Sequence, residues 1–137
     1  MARSHRRSAP PRLILDSGAV IALSRREARA RAFLQRALEL EAWVEVPVVV
    51  VAETTRGTQR DAAVNRILKA VDAVPATHEL VGRTAGALLG RSADAGVVDA
   101  LVVAQAVVAG GGLILTSDPR DLASLAAGHP EVQIRPT

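Results

Sequence analysis

Cysteine is missing altogether from these 137 residues, tyrosine is missing too, and the aromatic complement stops at Phe33 and Trp43. Without cysteine there is no disulfide, zinc ribbon, iron–sulfur cluster or thiol nucleophile. With two aromatic rings in the whole chain, nucleic-acid recognition by base stacking, as in RRM or OB-fold proteins, has almost nothing to work with. The three histidines, His5, His78 and His129, stand far apart and in no metal-binding spacing. Any metal here must be held by oxygen. Long apolar runs are lacking as well. None approaches the roughly 18 residues that span a bilayer. The short apolar stretch after the basic N-terminus carries Asp16 in its middle, a charge that a signal peptide does not tolerate. A cytoplasmic protein with no membrane contact is expected.

What is present suits one domain. Hydrophobic residues make up 49% of the chain, so Ala, Val, Leu and Ile must fill a core that buries about two thirds of the extended surface. The sequence pI of about 10.9 suggests a nucleic-acid binder, but the charge is unevenly placed. Arg3, Arg6, Arg7 and Arg12 give the first 12 residues a charge of +4, and the other 125 carry 13 basic and 14 acidic groups, a net of −1. The basicity belongs to an arm over residues 1–12, expected to be disordered or extended. It has two readings: salt-sensitive contacts to phosphates, or a terminus that only aids solubility.

From Leu13 onward the pattern alternates. Leu13-Ile14-Leu15 and Leu113-Ile114-Leu115-Thr116 are short, wholly apolar runs that read as buried parallel strands. Between them, helices are expected over Ala19–Ala42 (in two pieces broken near Ser24), from Pro47 to about Arg56, over Asp61–Asp72, Thr77–Leu89 and Val97–Ala109. The last of these is apolar nearly all round and hence buried. Pro47 favours a helix start over a central strand, which leaves a short strand at 43–46. A short strand is expected at 74–76, a short helix from Pro119 to about Ala127, and a final strand around Val132–Arg135. Strands alternating with helices point to an α/β fold of three layers, with a mostly parallel central sheet flanked by helices.

Four carboxylates stand out. Asp16 and Asp118 each follow an apolar strand, and in open parallel sheets ligands collect outside the carboxyl ends of the strands. The bland reading is that each caps the helix after it. Asp99 and Glu53 interrupt runs of Val and Ala, and Glu53 is expected to face inward. Carboxylates on buried helical faces are penalised unless they find a partner or shift their pKa. Two carboxylates about 5 Å apart repel by about 3 kcal/mol at an effective dielectric near 20. A hard divalent cation removes that penalty and can activate a water and polarise a phosphate oxygen. Mg²⁺ or Mn²⁺ suits few fixed ligands and retained waters better than Ca²⁺ does. With the four acids set aside, the body holds 13 basic and 10 acidic groups, a balance suited to a phosphodiester.

The segments Leu13-Ile14-Leu15-Asp16-Ser17-Gly18-Ala19, Ala52-Glu53-Thr54, Val98-Asp99-Ala100-Leu101-Val102-Val103-Ala104 and Leu115-Thr116-Ser117-Asp118-Pro119-Arg120-Asp121-Leu122, in this order, resemble the PIN domain, and within it the VapC-like toxins of toxin–antitoxin pairs. The resemblance runs from Leu13 through nearly the whole chain. It implies a PIN-like fold, Mg²⁺- or Mn²⁺-dependent endoribonuclease activity using metal-activated water, homodimerisation, and an antitoxin that blocks the site. Asp16, Glu53, Asp99 and Asp118 match the acidic quartet of the family, with Asp16, Asp99 and Asp118 as the expected metal ligands. Thr116 and Ser17 match hydroxyl positions that orient those acids. Asp94 and Asp121 are extra acids near the pocket and candidate site residues; Asp94 reads first as a cap of the helix holding Asp99. Asp121 reads first as a helix-start residue, with an approach to the metal through water as the alternative. Arg56 and Arg120 each have two readings, a phosphate contact or an ion pair with a nearby acid.

Two other aspartate-dependent classes fail on particular residues. HAD-type phosphatases carry a second acid where this chain has Gly18, and receiver domains need a late lysine, whereas the sole lysine here is Lys69. The rival that stands is a catalytically idle PIN-like module that binds RNA or a protein.

Overall fold

The computed structural model describes residues 10–92 and 94–137. Most of the expected arm, residues 1–9, lies outside them. Arg12 opens the first strand, β1 (Arg12–Leu15). Its guanidinium bonds the buried Glu45 carboxylate at 2.7 Å. After β1 come α1 (Ser17–Ser24), α2 (Ala28–Glu39), β2 (Trp43–Glu45), α3 (Val48–Thr54), a 3₁₀ turn at Gln59–Asp61, α4 (Ala62–Ala70), α5 (Glu79–Leu89), α6 (Val97–Val108), β3 (Gly112–Thr116), α7 (Pro119–Leu125) and β4 (Val132–Pro136).

The four strands form one parallel sheet in the order β2-β1-β3-β4. Helices complete the three-layer α/β arrangement that the alternation called for. The order has a physical consequence. The chain leaves β1 for β2 on one side, then crosses back to β3 and continues outward to β4. The strand order therefore reverses between β1 and β3, where such sheets form a crevice at their carboxyl ends. Ile14, Leu15, Ile114 and Leu115 are fully buried, in keeping with strands covered on both faces. Leu15 pairs with Leu115, and Asp16 N–H continues the ladder to the Leu115 carbonyl at 3.1 Å. Asp16 and Thr116 thus emerge side by side.

Several boundaries differ from the sequence expectation, each for a local reason. The helix expected from Pro47 begins one residue later, with Pro47 as its N-cap. The expected strand at 74–76 is only an isolated bridge between Glu45 and Ala73. The carbonyls of Ala73 and Pro75 accept from Val46 and Val48 N–H, but Pro75 has no N–H to return. Asp72 ends no helix; its carboxylate accepts from Val44 N–H at 2.8 Å. The helix expected to be buried all round, α6, is buried mainly from Ala100 to Ala106, and Val97 at its start is 62% exposed. From the end of α6 to the first residue of β3, Gly110, Gly111 and Gly112 all have positive φ (90, 119 and 158°). A Cβ on Gly111 would lie 2.7 Å from the Glu131 carbonyl oxygen, so that reversal requires glycine. Among the described residues no helix is long and apolar enough to cross a membrane.

Candidate metal centre

The site is built from four chain segments that meet at the β1–β3 switch point. Asp16 follows β1, caps α1 by accepting from Ser17 N–H at 2.7 Å, and is only 6% exposed. Its other oxygen accepts from Thr116 Oγ1 at 2.8 Å. The fully buried Thr116 hydroxyl in turn accepts from Asp118 N–H at 3.0 Å. One hydroxyl at the end of β3 therefore fixes both the Asp16 carboxylate and the Asp118 backbone. Asp118 occupies the N-cap position of α7, but its side chain makes no cap bond and is exposed. The capping role thus holds for Asp16, with one oxygen, and fails for Asp118.

The closeness of the two strand-end loops rests on Gly18. A Cβ there would fall 1.8 Å from Ser117 Oγ, 2.5 Å from Ser117 Cβ and 2.9 Å from Ser117 N. Sequence reasoning gave Gly18 no role in the site. The available signal was a glycine in the first turn of a helix, which costs stability unless a neighbour needs the space.

Glu53 sits in the last turn of α3 and accepts a hydrogen bond from Ser17 Oγ, which ties α3 to the start of α1. The inward, buried placement expected for it is not found. In α3 only Val50 is buried, and Ala52 and Glu53 are exposed. Asp99 lies in the first turn of α6, half-buried, where the helix N-terminus favours a negative charge. Burial pushes its pKa up to about 6, with further upward contributions from the charges of Asp16, Asp118, Glu53 and Asp121. Asp16 is also pushed above its ordinary range, first by burial and then by the charges of Glu53 and Asp118, against the lowering hydrogen bonds from Thr116 and Ser17. These mutual effects place all four acids of the sequence reading in one electrostatic neighbourhood.

Asp121 joins them. Its pKa is raised by a hydrogen bond with, and the charge of, Asp118, so it borders the cluster while occupying the first turn of α7. Asp94 is exposed and does not cap α6, whose N-cap is Gly96 with no side-chain bond; it stands two residues too early. Arg56 does not pair with Glu53, because its guanidinium donates to the Ala52 and Thr55 carbonyls at 3.2 and 2.6 Å. Arg120 is exposed and forms no ion pair among the described residues. Sequence reasoning also passed over Glu45, a 2% exposed acid on β2 held by Arg12 and by Trp43 Nε1 at 3.2 Å.

As a donor set the cluster is all carboxylate, hard and oxygen-only, the chemistry that Mg²⁺ and Mn²⁺ prefer. Among the described residues no three such side chains converge closely enough to enclose an ion as they stand. Like-charge repulsion among these acids, which adds to burial in raising Asp99, opposes closer approach.

The PIN domain family matches residues 13–128. The chain belongs to the PIN domain family. No curated protein matches this PIN domain in sequence. Among solved structures it is similar to a chain of VapBC2 from Rickettsia felis bound to a DNA fragment from their promoter, with TM-score 0.72 and 12% identity over 92% of this chain and 98% of that one. DNA-bound VapBC from Salmonella typhimurium gives TM-score 0.71 and 14% identity over 92% and 98%. A toxin–antitoxin complex from Klebsiella pneumoniae gives 0.66 and 18% over 88% and 94%. At these identities the likeness is one of fold.

Proposed function

We propose that this PIN domain is a metal-dependent endoribonuclease acting as the toxin of a VapBC-like toxin–antitoxin pair. The observation that carries the proposal is the gathering of Asp16, Glu53, Asp99 and Asp118 at the switch point of a parallel sheet. Asp16, Asp99 and Asp118 are the ligands we assign to Mg²⁺ or Mn²⁺. A bound divalent cation supplies water activation and charge neutralisation at the phosphate. The chain's own part is orientation. Thr116 and Ser17 N–H hold Asp16, Thr116 holds the Asp118 backbone, and Ser17 anchors one oxygen of Glu53. To the other oxygen of the exposed Glu53, which Ser17 does not engage, we assign the role of accepting a proton from the attacking water.

The proposed partners are an RNA substrate, a cognate antitoxin and a second copy of the chain. Toxin–antitoxin complexes among its structural neighbours support the antitoxin. The homodimer follows from the family resemblance, and exposed apolar side chains such as Leu38, Leu40, Leu80 and Val97 are available to such a contact. The test is cleavage of total RNA by purified protein with Mn²⁺, with Mg²⁺ and with EDTA. Cleavage that needs the metal and is lost in Asp99→Asn supports the nuclease. Equal cleavage by wild type and Asp99→Asn would point to a contaminant. No cleavage by either leaves the catalytically idle RNA- or protein-binding module as the better reading.

A further inference from the structure

Next to the acids, the segment between α3 and α4 is built in a way that the nuclease chemistry does not require. The buried Asp61 carboxylate accepts from Arg56 N–H at 3.0 and 3.1 Å and from Gly57 N–H at 2.8 Å. Gly57 takes a positive φ of 75°, and Thr58 Oγ1 accepts from Arg60 N–H at 3.3 Å. The loop is thus folded around its own acid, and the Arg60 side chain takes no part in holding it among the described residues.

What the loop leaves outside is a cleft of about 630 Å³ lined by Thr54, Arg56, Thr58, Gln59, Arg60 and Asp61. Asp61, its only carboxylate, is 8% exposed and committed to backbone N–H groups. Arg60 is exposed and in no ion pair among the described residues, whereas Arg12, Arg36 and Arg83 each pair with a glutamate. Arg56 spends part of its guanidinium on the carbonyls that end α3. The lining therefore offers hydrogen-bond donors and positive charge, and its one carboxylate is already engaged by backbone N–H groups, a match for an anion with several oxygens. Thr54 directly follows Glu53, and Arg56 lies three residues on, at most about 10 Å of chain.

The geometry points to this cleft as a subsite for a backbone phosphate of single-stranded RNA flanking the scissile bond, with Arg60 as its principal contact. The inference rests on the nuclease reading for its substrate, and its test is made by binding, without cleavage. A labelled single-stranded RNA oligonucleotide is titrated with the full-length protein in EDTA, monitored by fluorescence anisotropy. Arg60→Ala weakens binding about tenfold, the worth of one charge-assisted bidentate contact. It also lowers the slope of log affinity against log salt by about 0.7, one phosphate's share. Arg60→Lys keeps the salt slope and recovers part of the affinity. Arg29→Ala, an exposed charge on α2, leaves binding unchanged.

Wild-type affinity in Arg60→Ala, an equal loss in Arg29→Ala, or no measurable binding by wild type overturns the subsite. Arg60-dependent capture of an acidic peptide without RNA binding overturns it too, and gives the cleft to a protein partner. Metal-dependent cleavage measured in parallel separates the two claims. Intact cleavage with Arg60-independent binding removes the subsite alone, and Arg60-dependent binding without cleavage removes the nuclease alone.

Discussion

Asp99 carries the clearest electrostatic signature at the residue scale. Burial first, and then the neighbouring carboxylates, push its carboxyl up to about 6 in the folded chain against 3.8 for the free group, so between those values the native state binds more protons than the unfolded state. Stability from this group then falls as pH rises through that window, and the penalty is fully present above pH 6. With metal removed by EDTA, Asp99→Asn is expected to be more stable than wild type at pH 7.5 by about 1 kcal/mol, the shift being screened by water at this half-exposed position. The gap closes as pH falls from 6 towards 3.8. Urea unfolding at several pH values measures it, and an Asn variant no more stable at pH 7.5 contradicts the account. Residue by residue, the sequence was informative where the cue was local. An apolar run ending in Asp is a strand-end carboxylate wherever the strand pairs, and Asp16 and Asp118 were legible on that basis. Glu53 misled because valines precede it. Burial in α3 depends on which side meets the rest of the fold, and that packing turns only Val50 inside. Glu45 was passed over for the opposite reason: its partner Arg12 lies 33 residues away.

At the scale of elements, the alternation of apolar strands and helices was enough for the fold class, because period and turn residues act within a few positions. The sheet order was a different matter. Nothing in β1 or β3 alone states that they are neighbours. The close approach that makes them so is written in Gly18, whose missing Cβ leaves room for Ser117. Gly18→Ala is therefore expected to push the loop before α7 away from α1 and carry Asp118 from Asp16. The overpacking costs about 1–3 kcal/mol. A displacement of that kind at a positioned carboxylate costs about 100-fold in cleavage rate. Ser117→Gly in the same chain removes two of the three clashes but leaves Ser117 N, 2.9 Å from the added carbon, so it restores the rate only in part. Thermal unfolding and single-turnover cleavage read the two effects separately. Wild-type rates in Gly18→Ala would mean that the loop spacing does not set the site.

For the whole molecule the decisive quantity is where the charge lies. The chain has a formal net charge of +3, but residues 13–137 hold 13 basic and 14 acidic groups. With no cation to offset the four site acids, a polyanion approaching them therefore meets little long-range attraction from the body, apart from local donors such as Arg60. Arg3, Arg6 and Arg7 lie outside the described residues and supply the surplus. If they meet RNA phosphates, each releases counterions, and log affinity falls with log salt by about 0.7 per phosphate on a single strand. Replacing all three by Gln in the full-length chain lowers the net charge from +3 to 0. The expected result is a salt slope shallower by about 2 in EDTA, together with a slower association rate at low salt. The Arg60→Ala change in slope adds to this one, because separate phosphates contribute independently. An unchanged slope in the triple variant assigns the arm to solubility alone.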